Sequence, residues 1–366
     1  MFKAPLINIF ILVTFLISIV APKAYTEELY LPEPGAMIEL TPAFEPVLIK
    51  GLKIHPEEPF KFDFIVDTGH SGLKTNDLQL KEQSMKLIKY FLTSLTVPEK
   101  DLWVNLSPYE KDRRIADNLG QTQMGRDMLG EDYILKQLTA SLIYPQKSLG
   151  KEFWDKVYAK TQQMYGTNQI PVNTFNKVWI VADKADVFEK ENVAYVVGAH
   201  LKVMLEEDYQ SLSKHTTSTK GTNSVASKII REVIIPTIET EVNKGKNFSL
   251  LRQMFYSMIL ASWYKTALKD AVITQIYGNQ SKVKVGINQD NHKANEEIFQ
   301  QYLKAYKKGV FNYIQEDKNS DSAVQDRPIV RKYFSGGEDF AMLGDNATSI
   351  LNRLKVVPQS ALSSTG

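Results

Sequence analysis

Apolar and polar residues change their period several times along the chain, and each change predicts an element. Lys3 is followed by an apolar run from Leu6 to Val20. A charged start and an apolar stretch of this length have the proportions of a secretory signal peptide, short of the about 20 residues a spanning helix needs. Residues 1–24 are therefore expected to be a signal peptide or an N-terminal anchor, with Pro22 disturbing a cut after either Ala21 or Ala24. Over 36–69 the pattern is β-like: Met37-Ile-Glu-Leu-Thr, Val47-Leu-Ile-Lys and Leu52-Lys-Ile-His lead to a segment where Phe60, Phe62 and Phe64 alternate with polar residues. This β module closes at Asp67-Thr-Gly-His-Ser-Gly72.

Beyond Thr75 the period becomes helical. Met85, Ile88, Phe91, Leu92 and Leu95 form a stripe that Pro98 ends. Ser107-Pro-Tyr-Glu carries a capping-box pattern, and further helices are predicted near 121–143, 148–165 and 200–213, the second bounded by Gly166. A second β patch at 177–198 reads as hairpins, with turns at Asp183-Lys184 and Lys190-Glu191. The polar run 215–224 predicts a linker between a mixed region, 25–214, and a helical region, 225–355. That second region has helices near 225–244 (bent or broken at Pro236), 247–277 and 293–316, before a flexible tail at 356–366. The predicted class is α+β, predominantly helical with two small β patches.

Composition narrows the functions available. The chain has 366 residues, enough for a large core, and its apolar share of 43% is that of a globular protein. Lys plus Arg number 44 against 42 acidic residues, and the two are even once Lys3 and Lys23 are set aside. A neutral body lacks the phosphate-neutralising charge on which nucleic-acid affinity rests, so no nucleic-acid partner is expected. Membrane contact is expected only through an uncleaved N-terminal segment. The absence of Cys excludes disulfides, thiolate metal sites and Cys nucleophiles.

Several blocks are familiar together. Asp101-Leu-Trp-Val-Asn-Leu-Ser-Pro-Tyr-Glu-Lys-Asp112, Tyr133-Ile-Leu-Lys-Gln-Leu-Thr-Ala-Ser-Leu-Ile-Tyr144, Ile170-Pro-Val-Asn-Thr-Phe-Asn-Lys-Val-Trp-Ile180 and Arg331-Lys-Tyr-Phe-Ser-Gly-Gly337 resemble segments of a family of uncharacterised exported bacterial proteins. The resemblance spans about Gly35 to Gly337 and implies a bacterial envelope or extracytoplasmic setting. It carries no activity and no catalytic residues to this chain.

Among motifs with chemistry, Phe64-Ile-Val-Asp-Thr-Gly69 is the sharpest. It resembles the Asp-Thr-Gly loop of aspartic proteases, in which two carboxyls share a proton and work as acid and base. Asp67 is thus the candidate catalytic residue, against three observations: the motif occurs once, His70 follows it, and the chain then turns helical. The competing account is a strand-ending turn with Asp and Gly in their usual roles. Ser-x-x-Lys pairs occur at Ser71/Lys74, Ser148/Lys151, Ser211/Lys214, Ser262/Lys265 and Ser281/Lys284, of which only Ser262/Lys265 lies in an apolar helix. The five His are scattered without metal-ligand spacing, and the calcium-loop start at Asn288 and Asp290 fails at Lys293 and Phe299, so no metal or cofactor is expected. The mixed charges of 110–114 and 126–132 read as surface ion pairs, or as the lining of a polar groove. The expected function is a non-catalytic binding or scaffold module of the envelope, exported to the periplasm or beyond, with an unspecified protein or envelope component as partner. The alternative is an aspartic-type hydrolase working through Asp67.

Overall fold

The computed structural model describes residues 31–55, 58, 61–74, 77–107, 113–144, 147–166, 178–214, 228, 230–267, 291–307, 337–340 and 354–356. The N-terminal segment 1–24, the linker 215–224, most of the capping box, Ser281/Lys284, Asn288, Asp290 and the tail beyond 356 lie outside the described residues.

Strands β1 (Leu48–Ile54) and β2 (Phe62–Asp67) pair antiparallel, and β1 then pairs antiparallel with β5 (Val193–Leu205) through Gly51 opposite Tyr195 and Leu52 opposite Ala194. β5 forms a long hairpin with β4 (Val178–Lys190), whose other edge takes β6 (Glu338–Asp339) and, further along, β7 (Leu354–Val356), both parallel. β6 is closed off by β3 (Trp103–Val104). The result is one mixed sheet of seven strands in the order β2-β1-β5-β4-β6-β3, with β7 on β4.

This overturns the expectation of two small β patches: the strands of the two regions are merged into a single sheet. Periodicity marks strands, but the seam between β1 and β5 joins residues more than 140 positions apart, and nothing local encodes that partner. Gly51 makes the seam possible, since a Cβ there would lie 2.8 Å from Ile65 Cδ1 and 3.1 Å from the Ala194 carbonyl oxygen. Three local expectations also change. The turn expected at Asp183-Lys184 is a bulge inside β4, which adds a residue without reversing the strand; the reversal comes at Glu191, with φ 54°. The helix expected from 200 starts only at Glu206, because Leu201, Val203 and Leu205 continue the period-2 alternation into the core. Met37–Thr41 forms no strand: the Ile38 N–H donates to Ser141 Oγ and the Thr41 N–H to Glu241 Oε2, so side chains rather than a neighbouring strand hold this segment.

β4 shows how the sheet divides its two faces. Val178, Ile180 and Ala182 enter the main core, while Trp179 and Val181 join Met204 and Tyr209 in a small cluster on the opposite face. The main face is covered by α1 (Leu78–Thr96), α3 (Gln123–Leu142), α6 (Ile235–Lys244) and α7 (Ser249–Ala267). The remaining helices are α2 (Asp117–Gly120), α4 (Ser148–Tyr165), α5 (Glu206–Lys214) and α8 (Asn291–Lys307). Phe62 and Phe64 of β2 meet Phe91 of α1 edge-on at 5.3 and 5.1 Å, and Phe62 meets Tyr264 of α7 at 5.1 Å. On α1 the predicted stripe faces the core through Ile88, Phe91 and Leu95, with Leu80 and Leu87 added to it and Met85 alone left exposed. Pro236 does not break a helix. The π-helical turn at Ile230–Ile234 runs directly into α6, whose first turn holds Pro236, so the helix changes its winding there without stopping. Among the described residues no helix is long and apolar enough to cross a membrane.

Candidate functional site

β2 ends by delivering Asp67 into a tight turn. Asp67 Oδ1 accepts the Gly69 N–H at 2.9 Å, and Oδ2 pairs with Lys50 Nζ of β1 at 2.6 Å. Burial works to raise the Asp67 pKa, yet the Lys50 ammonium and the Gly69 N–H together hold it below the ordinary carboxylate value. The adjacent Gly69 is at φ 51°, and a Cβ on it would come within 2.3 Å of the Glu45 carbonyl oxygen and 2.6 Å of that of Pro46. Contact this close brings reciprocal bonds: the His70 N–H donates to the Glu45 carbonyl at 2.8 Å, and the Glu45 N–H donates to His70 Nδ1 at 3.0 Å. The Asp-Thr-Gly-His turn is thereby clamped to the extended segment that leads into β1. Among the described residues no second carboxyl bonds to Asp67, and its lowered pKa runs opposite to that of a carboxyl retaining a shared proton.

The clamp closes one side of a pocket of about 280 Å³. Its polar lining comes from Lys50, His70, Asn243, Lys244, Arg252 and Tyr256, with Glu45 also present; Phe44, Leu48, Leu201 and Phe255 supply apolar wall. Arg252 is buried in α7 and donates to three main-chain carbonyls: Nη1 to Val242 and Gly245 at 2.8 and 2.7 Å, Nη2 to Phe44 at 2.7 Å. No carboxylate of the described residues lies within ion-pair distance of it. Because His70 Nδ1 accepts a hydrogen bond, the neutral ring carries its proton on Nε2. Burial raises the Tyr256 pKa, despite the Lys50 charge, so its hydroxyl is a donor at neutral pH.

Sequence reasoning placed Asp67 and His70 near one another but missed Lys50, Arg252 and Tyr256. For Arg252 a signal existed: it is a charge in the otherwise apolar start of α7, Leu250-Leu-Arg-Gln-Met-Phe255, and such a charge needs a reason to be buried.

The second polar assembly runs through α3. Asp127 is fully buried, with Arg126 Nε and Nη2 donating to Oδ1 at 2.9 and 2.7 Å and the Tyr90 hydroxyl donating to Oδ2 at 2.5 Å. Asp132 accepts from Lys136 Nζ at 2.6 Å and from the Leu106 N–H at 2.7 Å. Glu338 of β6 is buried beside them, and among the described residues neither of its carboxyl oxygens has a hydrogen-bond partner. Its pKa is pushed far up by burial first, then by Asp132 and Glu131, with Lys136 opposing. The expectation of surface ion pairs at 126–132 is therefore corrected. Residues Arg126, Asp127, Glu131 and Asp132 lie in the interior because α3 is enclosed on nearly every side. The assembly is a fastener: Gln137 and Ser141 on the same helix accept the N–H groups of Gly35 and Ile38.

Other candidates are separated by the fold. Ser262 is buried and Lys265 is sheltered, with its pKa lowered by burial against the pull of Glu99, but no hydrogen bond joins them. Ser71 Oγ accepts the Leu73 N–H, and Ser148/Lys151 opens α4. His55 pairs with Asp63 at 2.8 Å, and His200 sits between Asp183 and Glu239 at 3.0 and 3.6 Å. Among the described residues no group of three or more such side chains is arranged to hold a metal ion. A second cavity, about 360 Å³, is lined by Arg114, Asp117, His292, Asn295 and Glu296; there Arg114 is paired with Glu296 at 3.0 Å and lies over the Phe299 ring. No family model, curated protein or solved structure matches the chain.

Proposed function

We propose that the protein is a non-catalytic binding module of the bacterial envelope, and that the pocket between β1, the Asp67–His70 turn and α7 is its ligand seat. The observation that carries this reading is the commitment of Asp67. Its two oxygens are taken up by Lys50 and the Gly69 N–H, so it orders a pocket wall and, among the described residues, has no acid partner with which to activate water. Apart from Glu45 and the Leu201-bound Asn243, the polar groups around the cavity are hydrogen-bond donors on a scaffold fixed by backbone bonds, the arrangement that orients a ligand rather than transforms it. Export from the cytosol belongs to the same proposal and rests on the apolar run at 6–20 and the resemblance to exported bacterial proteins.

Two measurements test it. Purified residues 25–366 should show ligand-dependent thermal stabilisation in a small-molecule screen, lost when Leu201→Trp fills the pocket, and should not cleave peptides. Peptide cleavage abolished by Asp67→Asn would replace this reading with the hydrolase. Fractionation of the tagged full chain should recover it outside the cytosol, and recovery of unprocessed soluble chain inside would remove the envelope assignment.

A further inference from the structure

Resting on the assignment of this pocket as the ligand seat, we infer that its ligand is a small organic monoanion, a carboxylate carried on a short apolar body. The charge balance of the lining points there. With Lys50 paired to Asp67, the lining itself sets Lys244 and Arg252 against Glu45, Glu241 lies behind Arg252 with its oxygens taken by Thr41, and Lys246 adds a further cation over the Phe44 ring at the edge. Arg252 matters most. It is a buried guanidinium bonded to neutral carbonyls, and among the described residues Glu131, Glu241 and Glu45 act on its charge only across a distance, none of them in ion-pair contact. A desolvated charge of this kind is costly, and an anion arriving in the adjoining cavity recovers part of that cost.

The donors agree with the charge. His70 Nε2–H and the Tyr256 hydroxyl make no protein hydrogen bond among the described residues, and both line the same cavity. A carboxylate accepts several such bonds, whereas a cation or a donor-rich polyol would leave them unmatched. The walls set the remainder of the molecule: Phe44, Leu48, Leu201 and Phe255 ask for an apolar body rather than a bare inorganic ion. The volume, about 280 Å³, keeps that body short, below the range of drug-sized ligands.

Titration of benzoate, benzyl alcohol and inorganic phosphate into the purified chain from residue 25, followed by calorimetry and by chemical-shift changes, tests the inference. Benzoate should bind, with its neutral counterpart weaker by about tenfold or more, as expected when a charged acceptor is exchanged for a neutral one. Tyr256→Phe removes only a hydroxyl and should weaken benzoate by about three- to tenfold with benzyl alcohol unchanged. Lys244→Gln, on the exposed rim, should weaken benzoate and make its affinity less salt-dependent. Arg252→Lys is the direct variant but holds three carbonyls, so it is read only together with these two. Equal binding of benzoate and benzyl alcohol in the pocket would overturn the anion assignment and leave the ligand seat standing. Phosphate binding tighter than benzoate would overturn the apolar body. Absence of any shift change at pocket residues with all three probes would overturn both readings.

Discussion

Replacing Gly69 by Ala is the most informative single perturbation, because its cost is readable from distances. At φ 51° an L-residue has to adopt the left-handed region, which costs about 1–2 kcal/mol. The new methyl would also sit 2.3 Å from the Glu45 carbonyl oxygen, against the 3.4 to 4 Å of ordinary contact, so the turn and the entering segment must part by about an ångström. That separation breaks the two reciprocal bonds between Glu45 and His70, worth about 1 kcal/mol each. The total is about 3–4 kcal/mol, a large part of the about 5–15 kcal/mol that holds a typical domain folded. Gly72 supplies the control: it also has positive φ, 69°, but nothing lies within 4 Å of its missing Cβ, so Gly72→Ala carries only the backbone term. Urea denaturation of both variants, followed by tryptophan fluorescence and circular dichroism, should separate them by about 2 kcal/mol. Equal losses would mean that the clamp contributes nothing, and the account of the turn as a pocket wall would fall with it.

Glu338→Gln should act through pH. The folded state holds a proton on Glu338 that the unfolded chain releases above about pH 4.3, so the wild type loses stability as pH rises from there toward the raised folded pKa. Gln has no proton to lose; thermal melts should therefore coincide near pH 4 and favour the variant at pH 8, and parallel curves would refute the assignment. Lys136→Met strands Asp132 in the interior and should cost about 3–5 kcal/mol in denaturant titrations, most of it recovered by adding Asp132→Leu. A single-variant loss below about 1 kcal/mol would contradict the buried pair. For Asp67 the sign is opposite to Glu338: its folded pKa is lowered, so its contribution is present above the unfolded value of about 3.9 and lost as pH falls through the folded one. Asp67→Asn should remove that acid-side loss while costing no more than about 1 kcal/mol at pH 8, since the pair with Lys50 is partly solvent-exposed.

The elements that could be read locally were those whose period and punctuation agree. The helix ended by Gly166 is an example: at φ 68° Gly166 adopts the left-handed stop, with its N–H bonded back to Gln162. β2 is another, since Phe62 and Phe64 share a face and Asp67 and Gly69 close it. What could not be read is pairing. A strand of two residues such as β6 has no period of its own, and it exists because Trp103, Val104, Ile180 and Val181 offer edges on both sides. The sequence pattern divides β4 at Asp183-Lys184 because the bulge between Ala182 and Lys184 places charged residues where a turn would also have them.

The pocket follows the same rule with a sharper lesson. Asp67-Thr-Gly-His70 has the pattern of a catalytic loop, and its residues do meet at a site, but the chemistry of the motif is spent on geometry. Asp67 caps its own turn and anchors Lys50, Gly69 permits backbone contact at Glu45, and His70 returns a bond to the same residue. The groups that give the cavity its charge come from elsewhere, Arg252 from more than 180 residues downstream in α7 and Lys244 from the end of α6. Each is ordinary in sequence, and only the sheet seam at Gly51, which brings β1 beside β5 and under α7, sets them around one cavity. A residue larger than glycine at position 51 should therefore disturb the pocket as well as the sheet, and ligand binding should be lost together with the pairing of Gly51 and Tyr195 rather than independently of it.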